Sequence, residues 1–159
     1  MPAYMFLEGI DGEVQEANHE KWIDVESMNS PIYRSIAEGT LGANRNRGTT
    51  SLGDVSITRK LDKSSVKIQE ACAAGTYFSE VKVHFATSIQ GEERVYLEYI
   101  MKHCIVTGYN FTGVGEGDPV PTEDITLNFT EVEWNYTILN PETGDVDGNV
   151  PGTYVPAVQ

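Results

Sequence analysis

Apolar and polar residues alternate with a period of two through most of this chain, which confines it to sheets that are dry on one face and wet on the other. Val81, Val83 and Phe85 alternate with Glu80, Lys82 and His84. Val95, Leu97, Tyr99 and Met101 stand against Glu98 and Lys102, and Val55 and Ile57 against Asp54, Ser56 and Thr58. Further on, Ile125, Leu127 and Phe129 share one parity, whereas Val132, Trp134, Tyr136 and Ile138 share the other. One extra residue is therefore expected near Thr130 and Glu131, as a β-bulge that turns the strand round a barrel corner. On this parity Trp134 and Tyr136 belong to the core, and His84 and Lys82 to the solvated face.

A helical pattern spans about residues 64–74. Asp62 or Ser64 can cap its first turn, and Gly75 can take the left-handed position after its last. A helix this short is marginal alone in water, so it must pack on the sheet through its inward stripe of Ile68, Ala71 and Cys72. The expected fold class is therefore mainly β: a small β-barrel of two antiparallel sheets with one flanking α-helix, in a single domain over residues 1–159. Residues 39–53 and 113–121 are rich in Gly with Thr, Asn, Arg or Pro and read as loops, the first long enough to have a task of its own. Residues 140–159 read as a hairpin turn followed by an extended end.

Charge and cysteine content narrow the function. With 24 acidic against 11 basic residues the net charge is -13, which disfavours nucleic acid and anionic membrane surfaces as partners. The first eight residues carry no basic region, and their apolar run breaks at Glu8. Synthesis in the cytoplasm and export by a dedicated machine are expected, with no membrane insertion. Cys72 and Cys104 are too few for a disulfide framework and are expected to be reduced.

Chemistry-bearing patterns are sparse. His19, His84 and His103 with Glu20, Glu98 and Asp124 lack a metal or acid–base spacing, and the pairs Glu92–Glu93 and Glu131 with Glu133 read as acidic surface. Nucleophile-elbow, zinc-protease, phosphate-loop and dinucleotide signatures are absent, and the series Gly113, Gly115, Gly117 lacks the following helix that a phosphate cradle needs. We assign no catalytic residues, no metal ligands and no cofactor. The sequons at Asn110, Asn128 and Asn135 fall in or beside strand patterns and read as chance.

Two blocks carry a family resemblance. Arg59-Lys60-Leu61-Asp62-Lys63-Ser64-Ser65, followed by Glu70-Ala71-Cys72 and Gly75, resembles the haemolysin-coregulated protein (Hcp) family of type VI secretion systems. Residues 121–129, followed by Val132-Glu133-Trp134-Asn135-Tyr136, are similar to that family's closing strands, and Gly9-Ile10-Asp11-Gly12-Glu13 with His19 and Trp22-Ile23 to its opening. The resemblance implies a non-enzymatic tube subunit: six copies close into a ring, rings stack into the inner tube of an injection machine, and the lumen carries or protects effector proteins. Implied partners are further copies of itself, the tip spike, the contractile sheath and baseplate, and effector cargo, with final release outside the cell or into a target cell.

Like charge across stacked rings repels, so stacking should be weak and salt-dependent unless it is locally paired. The acid-poor stretch Gly39, Leu41, Asn44, Arg45, Arg47, Thr49, Leu52 is our candidate ring-stacking loop, its two arginines meeting acids of the next ring. Competing readings are a carbohydrate-binding β-sandwich using Trp22, Trp134 and Tyr136, a cupin-like metal enzyme, and a phage-like tail-tube protein.

Overall fold

The computed structural model describes residues 2–35, 50–113, 115–117 and 120–156. The strands are β1 (Ala3–Leu7), β2 (Ile23–Val25), β3 (Ser27–Asn29), β4 (Ile32–Arg34), β5 (Thr50–Leu52), β6 (Val55–Lys60), β7 (Tyr77–Ile89), β8 (Glu92–Thr112), β9 (Thr122–Asn128), β10 (Glu131–Leu139) and β11 (Val146–Tyr154). The helix α1 (Ser65–Ala74) lies between β6 and β7. Thr50–Leu52, expected within a loop, forms a strand: Ile32 pairs with Leu52 and Arg34 with Thr50, giving a two-stranded ribbon apart from the main sheet.

Among the described residues all strand pairs are antiparallel, and the main sheet has nine strands in the order β2-β1-β7-β8-β9-β6-β3, with β10 on β8 and β11 on β10. Both ends of this path lie in one stretch of chain. β2 pairs with β1, β3 pairs with β6, and Glu26 alone separates them, its N–H donating to the Thr58 carbonyl at 3.0 Å. The fold is thus mainly β with one helix, and its sheet returns on itself through a bent segment instead of a ring of unbroken ladders. Each half of that segment is three residues long, so it can serve two differently directed neighbours only by bending at Glu26.

The expected bulge near Thr130 proves to be a feature of three strands. Phe78 pairs with Cys104 and Val81 with Met101, and Met101 in turn pairs with Val132. Phe78, Cys104 and Phe129 are buried on one side of this level, and Val81, Met101 and Val132 on the other. In each strand the inward position advances by three residues instead of two, which reverses inward parity. Register against β8 is unchanged across the break, with Ile105 opposite Asn128 and Lys102 opposite Glu131, so no residue has been inserted there. A bulge in one strand would have shifted its register here; a crease shared by neighbours keeps the ladders aligned at this level, and the register shifts lie elsewhere, at Phe85/Ala86 and Val106/Gly108. His103 sits on this line with φ 57°, a left-handed backbone that turns β8.

Inward-facing rungs build the core. Val55 lies opposite Leu127 and Ile57 opposite Ile125, all fully buried, and each such aliphatic contributes about 1.5–3 kcal/mol by burial. The next rung on that face is charged: Arg59 opposite Glu123, 1% and 0% exposed. Arg59 Nη1 donates to Glu123, Nη2 to Asp62 at 2.6 Å and Nε to the Asp24 carbonyl at 3.1 Å, while the Tyr109 hydroxyl donates to the other Glu123 oxygen. One guanidinium thereby joins β2, β6, β9 and the turn into α1. Although burial alone would raise it, the Asp62 carboxyl is held below the usual range by hydrogen bonds from Arg59 and Ser64. Asp62 Oδ1 accepts the Ser64 N–H at 2.8 Å, Gly75 closes the helix at φ 66°, and Ile68 and Ala71 are buried in the core with Cys72 half-buried against it.

Removing one partner strands a buried charge, whereas removing both leaves a cavity that apolar groups can fill. Arg59→Met is expected to cost about 3–5 kcal/mol in urea unfolding, and the double variant Arg59→Met with Glu123→Leu to recover most of that loss. Equal destabilisation in both variants would show that the pair does not act as a unit.

Candidate assembly surface

The outer face of β1 and β7 is not solvated in the way its polar alternation suggests. The segment 9–22 folds back over it, and His19, 3% exposed, stacks on Tyr4 with ring centroids 4.6 Å apart and meets the Trp22 edge at 4.7 Å. Trp22 also packs against Phe6. His84, expected in solvent, is half-buried here because this segment covers it. Its Nδ1 lies 2.9 Å from His19 Nε2 and its Nε2 lies 2.6 Å from Glu98, while His19 Nδ1 lies 2.5 Å from Glu16. Beside this chain the Tyr4 hydroxyl donates to Glu93, and burial, reinforced by that carboxylate, pushes its phenol far above the usual value. Sequence reasoning weighs both histidines but places His84 in solvent and does not join it to His19, because alternation reports which face a side chain occupies and not whether a distant loop covers that face.

The inner face behaves in the opposite way. Residues directly opposite across antiparallel strands share a face, so Met5, Val83, Tyr99 and Trp134 form one inward row, and Phe85, Leu97, Tyr136 and Val150 the row beside it. Met5 and Val83 are buried, and Trp134 is half-buried against Tyr99 at 6.0 Å. Cover then runs out. Tyr136 is 49% exposed, Ile138 44% and Val150 57%. Tyr136 is therefore not a core residue: its parity is right, but among the described residues no element covers the outer half of β10 and β11. Alongside lies an open cleft of about 390 Å³ lined by Thr87, Ile89, Tyr96, Tyr136, Thr137, Leu139 and Pro141, with the Tyr96 and Tyr136 rings edge to face at 6.3 Å. Strand β11 pairs only with β10 among the described residues, so its other edge offers backbone donors and acceptors beside this apolar face.

Of the candidate stacking residues, Gly39, Leu41, Asn44, Arg45, Arg47 and Thr49 lie outside the described residues. Leu52 is the last residue of β5 and packs against the core from the ribbon whose two strands bracket them. Trp22 and Trp134 stand on opposite faces of the sheet, Trp22 over Phe6 and Trp134 beside Tyr99, so they share no platform for a sugar. Among the described residues no group of three or more His, Cys, Asp or Glu side chains is arranged to hold a metal ion, and no helix is long and apolar enough to cross a membrane. Cys72 and Cys104 are both free, and burial pushes the Cys104 thiol up to about 12.

This geometry can be set beside known proteins. The family profile described as "Type VI secretion system effector, Hcp" matches residues 4–136. Protein hcp1 of Pseudomonas aeruginosa is 29% identical over 139 residues, covering 86% of this chain and 84% of the relative. Among solved structures, one titled "Structure of a type six secretion system protein" superposes with a TM-score of 0.87 at 26% identity, covering 97% of this chain and 94% of the other. Hcp1 from Salmonella typhimurium superposes with a TM-score of 0.76 at 22% identity, over 97% and 93% of the two chains, which bears on the fold alone. The profile match covers most of the chain, including the Arg59–Glu123 rung and the strands on both sides of the crease: this chain belongs to the Hcp family of type VI secretion proteins.

Proposed function

We propose that this chain is a structural subunit of a secretion tube, closing with five further copies into a ring, stacking with other rings, and leaving the cell with effector cargo in the lumen. The observation that carries this reading is the inner face at Tyr136, Ile138 and Val150, exposed among the described residues, continuous with the core and lying next to a strand edge that no described strand pairs with. Contiguous apolar surface of this kind marks a protein contact. Ring closure needs a heterologous interface, in which one face of a subunit meets a different face of the next. The exposed Ile32 and Tyr33 of the separate β4–β5 ribbon and the exposed Tyr77, Ile105 and Phe111 of β7 and β8 supply further apolar surface.

No bond-breaking step is assigned to the chain; it acts by shape. The tip spike, the contractile sheath, the baseplate and effector cargo are the partners this role requires. A sugar-binding module is disfavoured by the opposed placement of Trp22 and Trp134.

Stacking falls to the segment between β4 and β5. Rings that each carry six copies of a -13 subunit repel, and Arg45 and Arg47 are the cations this segment brings to acids of the neighbouring ring.

Two experiments test the two contacts separately. Tyr136→Glu with Val150→Glu is expected to shift the particle from near six times 17.5 kDa to the single-chain mass in light scattering, with an unchanged far-ultraviolet spectrum because both side chains are already about half exposed. Full-size rings in that variant contradict the reading. Arg45→Glu with Arg47→Glu is expected to leave single rings intact while removing stacked tubes from negative-stain images, and tubes of ordinary length would refute the loop's role.

A further inference from the structure

The contacts of the row Glu16–His19–His84–Glu98 fix how many protons it holds. Three heavy-atom contacts of 2.5, 2.9 and 2.6 Å run along it, and a hydrogen bond at each needs one proton between its two atoms. Two carboxylates and two neutral imidazoles supply two protons, so the complete row carries three, one more than its neutral histidines bring. A fourth proton places two N–H groups face to face across the 2.9 Å gap between His19 and His84, with no acceptor between two cations. Removing the third leaves one contact as two facing lone pairs. The row is complete in a single protonation state.

We propose that Glu16, His19, His84 and Glu98 form a one-proton clasp that fastens the segment 9–22 to the outer face of β1 and β7 near neutral pH and releases it in acid. The placement of the four groups supports this division of labour. Glu16 and His19 belong to the segment, while His84 is on β7 and Glu98 on β8, so the central contact is the one that joins segment to sheet. Within itself the segment is tied by Gly12 N–H to Lys21 O at 2.7 Å, Val14 N–H to Trp22 O at 3.1 Å and Lys21 N–H to Val14 O at 2.8 Å. Its polar attachment to the outer face of β7 is the histidine pair, supported by ring contacts from His19 to Tyr4 and from Trp22 to Phe6 and His84.

Groups around the pair set the direction of the response. From β1, Tyr4 stays an uncharged phenol, bonded to Glu93 of β8. From β7, Lys82, ion-paired with Glu80 at 3.2 Å, repels a cation on His84, while Glu98 of β8 attracts one; Asp24 of β2 lies beyond Tyr4. Burial is the largest influence on His84 and holds it below the ordinary histidine value of 6.5. An unclasped imidazole therefore takes up the fourth proton more readily than the clasped one. On the acid side the clasp weakens as pH falls from about 6.5 through the lowered value of His84, and on the alkaline side it weakens when the third proton is lost.

The test is amide hydrogen exchange on the full chain, corrected for the chemical rate, at pH 7 and pH 5. Between these, protection of Gly12, Val14 and Lys21 is expected to fall by at least about tenfold relative to the amides of β6, and this fall should disappear in His84→Gln and persist in His103→Gln. Unchanged protection in the wild type, or the same fall in His84→Gln, overturns the proposal. Should His84→Gln fail to fold, ring-nitrogen NMR of the wild type decides. Three protonated nitrogens among the four of His19 and His84 at pH 7, and four at pH 5, are expected; two at pH 7 overturn it.

Discussion

The strands β7 and β8 and the run from β9 into β10 exchange their inward and outward faces at one level, and the rest of the structure follows from that shared crease. On one side Cys104, Val106, Ile125 and Leu127 face the core with β6; on the other Met101, Val81 and Val132 face it with β1. A sheet of this width must bend to return on itself, and a bend taken by a single strand would shear its ladders. Taken by neighbouring strands at once, it leaves the register unshifted across the crease itself, the shifts of these ladders falling at Phe85/Ala86 and Val106/Gly108, and the bent segment 23–29 joins the two ends. The same turn directs β10 and β11 away from the enclosed core, so apolar parity persists along β10 after its cover has ended.

Buried polar groups hold together the parts that apolar packing cannot align. Arg59 binds Glu123, Asp62 and the Asp24 carbonyl, fixing the angle between the sheet and the start of α1. On the opposite side of the sheet, His19 and His84 do the equivalent for the segment 9–22. These two networks differ in how they answer to pH. The first places an always-charged guanidinium between carboxylates, whereas the second includes His84, whose protonation burial disfavours.

Local pattern and family motifs made much of this legible. Val81, Val83 and Phe85 against Glu80, Lys82 and His84 identify β7 because side-chain alternation is a property of the strand itself. The helix was readable from Asp62, whose carboxylate accepts the Ser64 N–H, and from Gly75, because such end signals are local too; Ser64 stands at the N-cap position but makes no side-chain cap bond. Long-range cover was not readable. His84 lies on the polar face of its strand in sequence and is covered in space, and Tyr136 has core parity yet is half exposed among the described residues. The charged rung carried a signal that was passed over: Arg59 and Glu123 continue the inward parities of Ile57 and Ile125, and charged residues in step with a core stripe imply a partner. The crease registered in sequence only as a parity change after Phe129, because the matching changes at Phe78 and Cys104 become visible when the strands are aligned.

The central claim is that the inner face beyond the crease is finished by another copy of the chain. Fast photochemical footprinting of Tyr136 and Tyr96 across a dilution series, read alongside particle mass, addresses it directly. Reactivity of both rings is expected to fall as ring-sized particles form, while the exposed Val66 of α1 keeps its monomer reactivity. Rings assembled with Tyr136 as reactive as in the single chain would contradict the account.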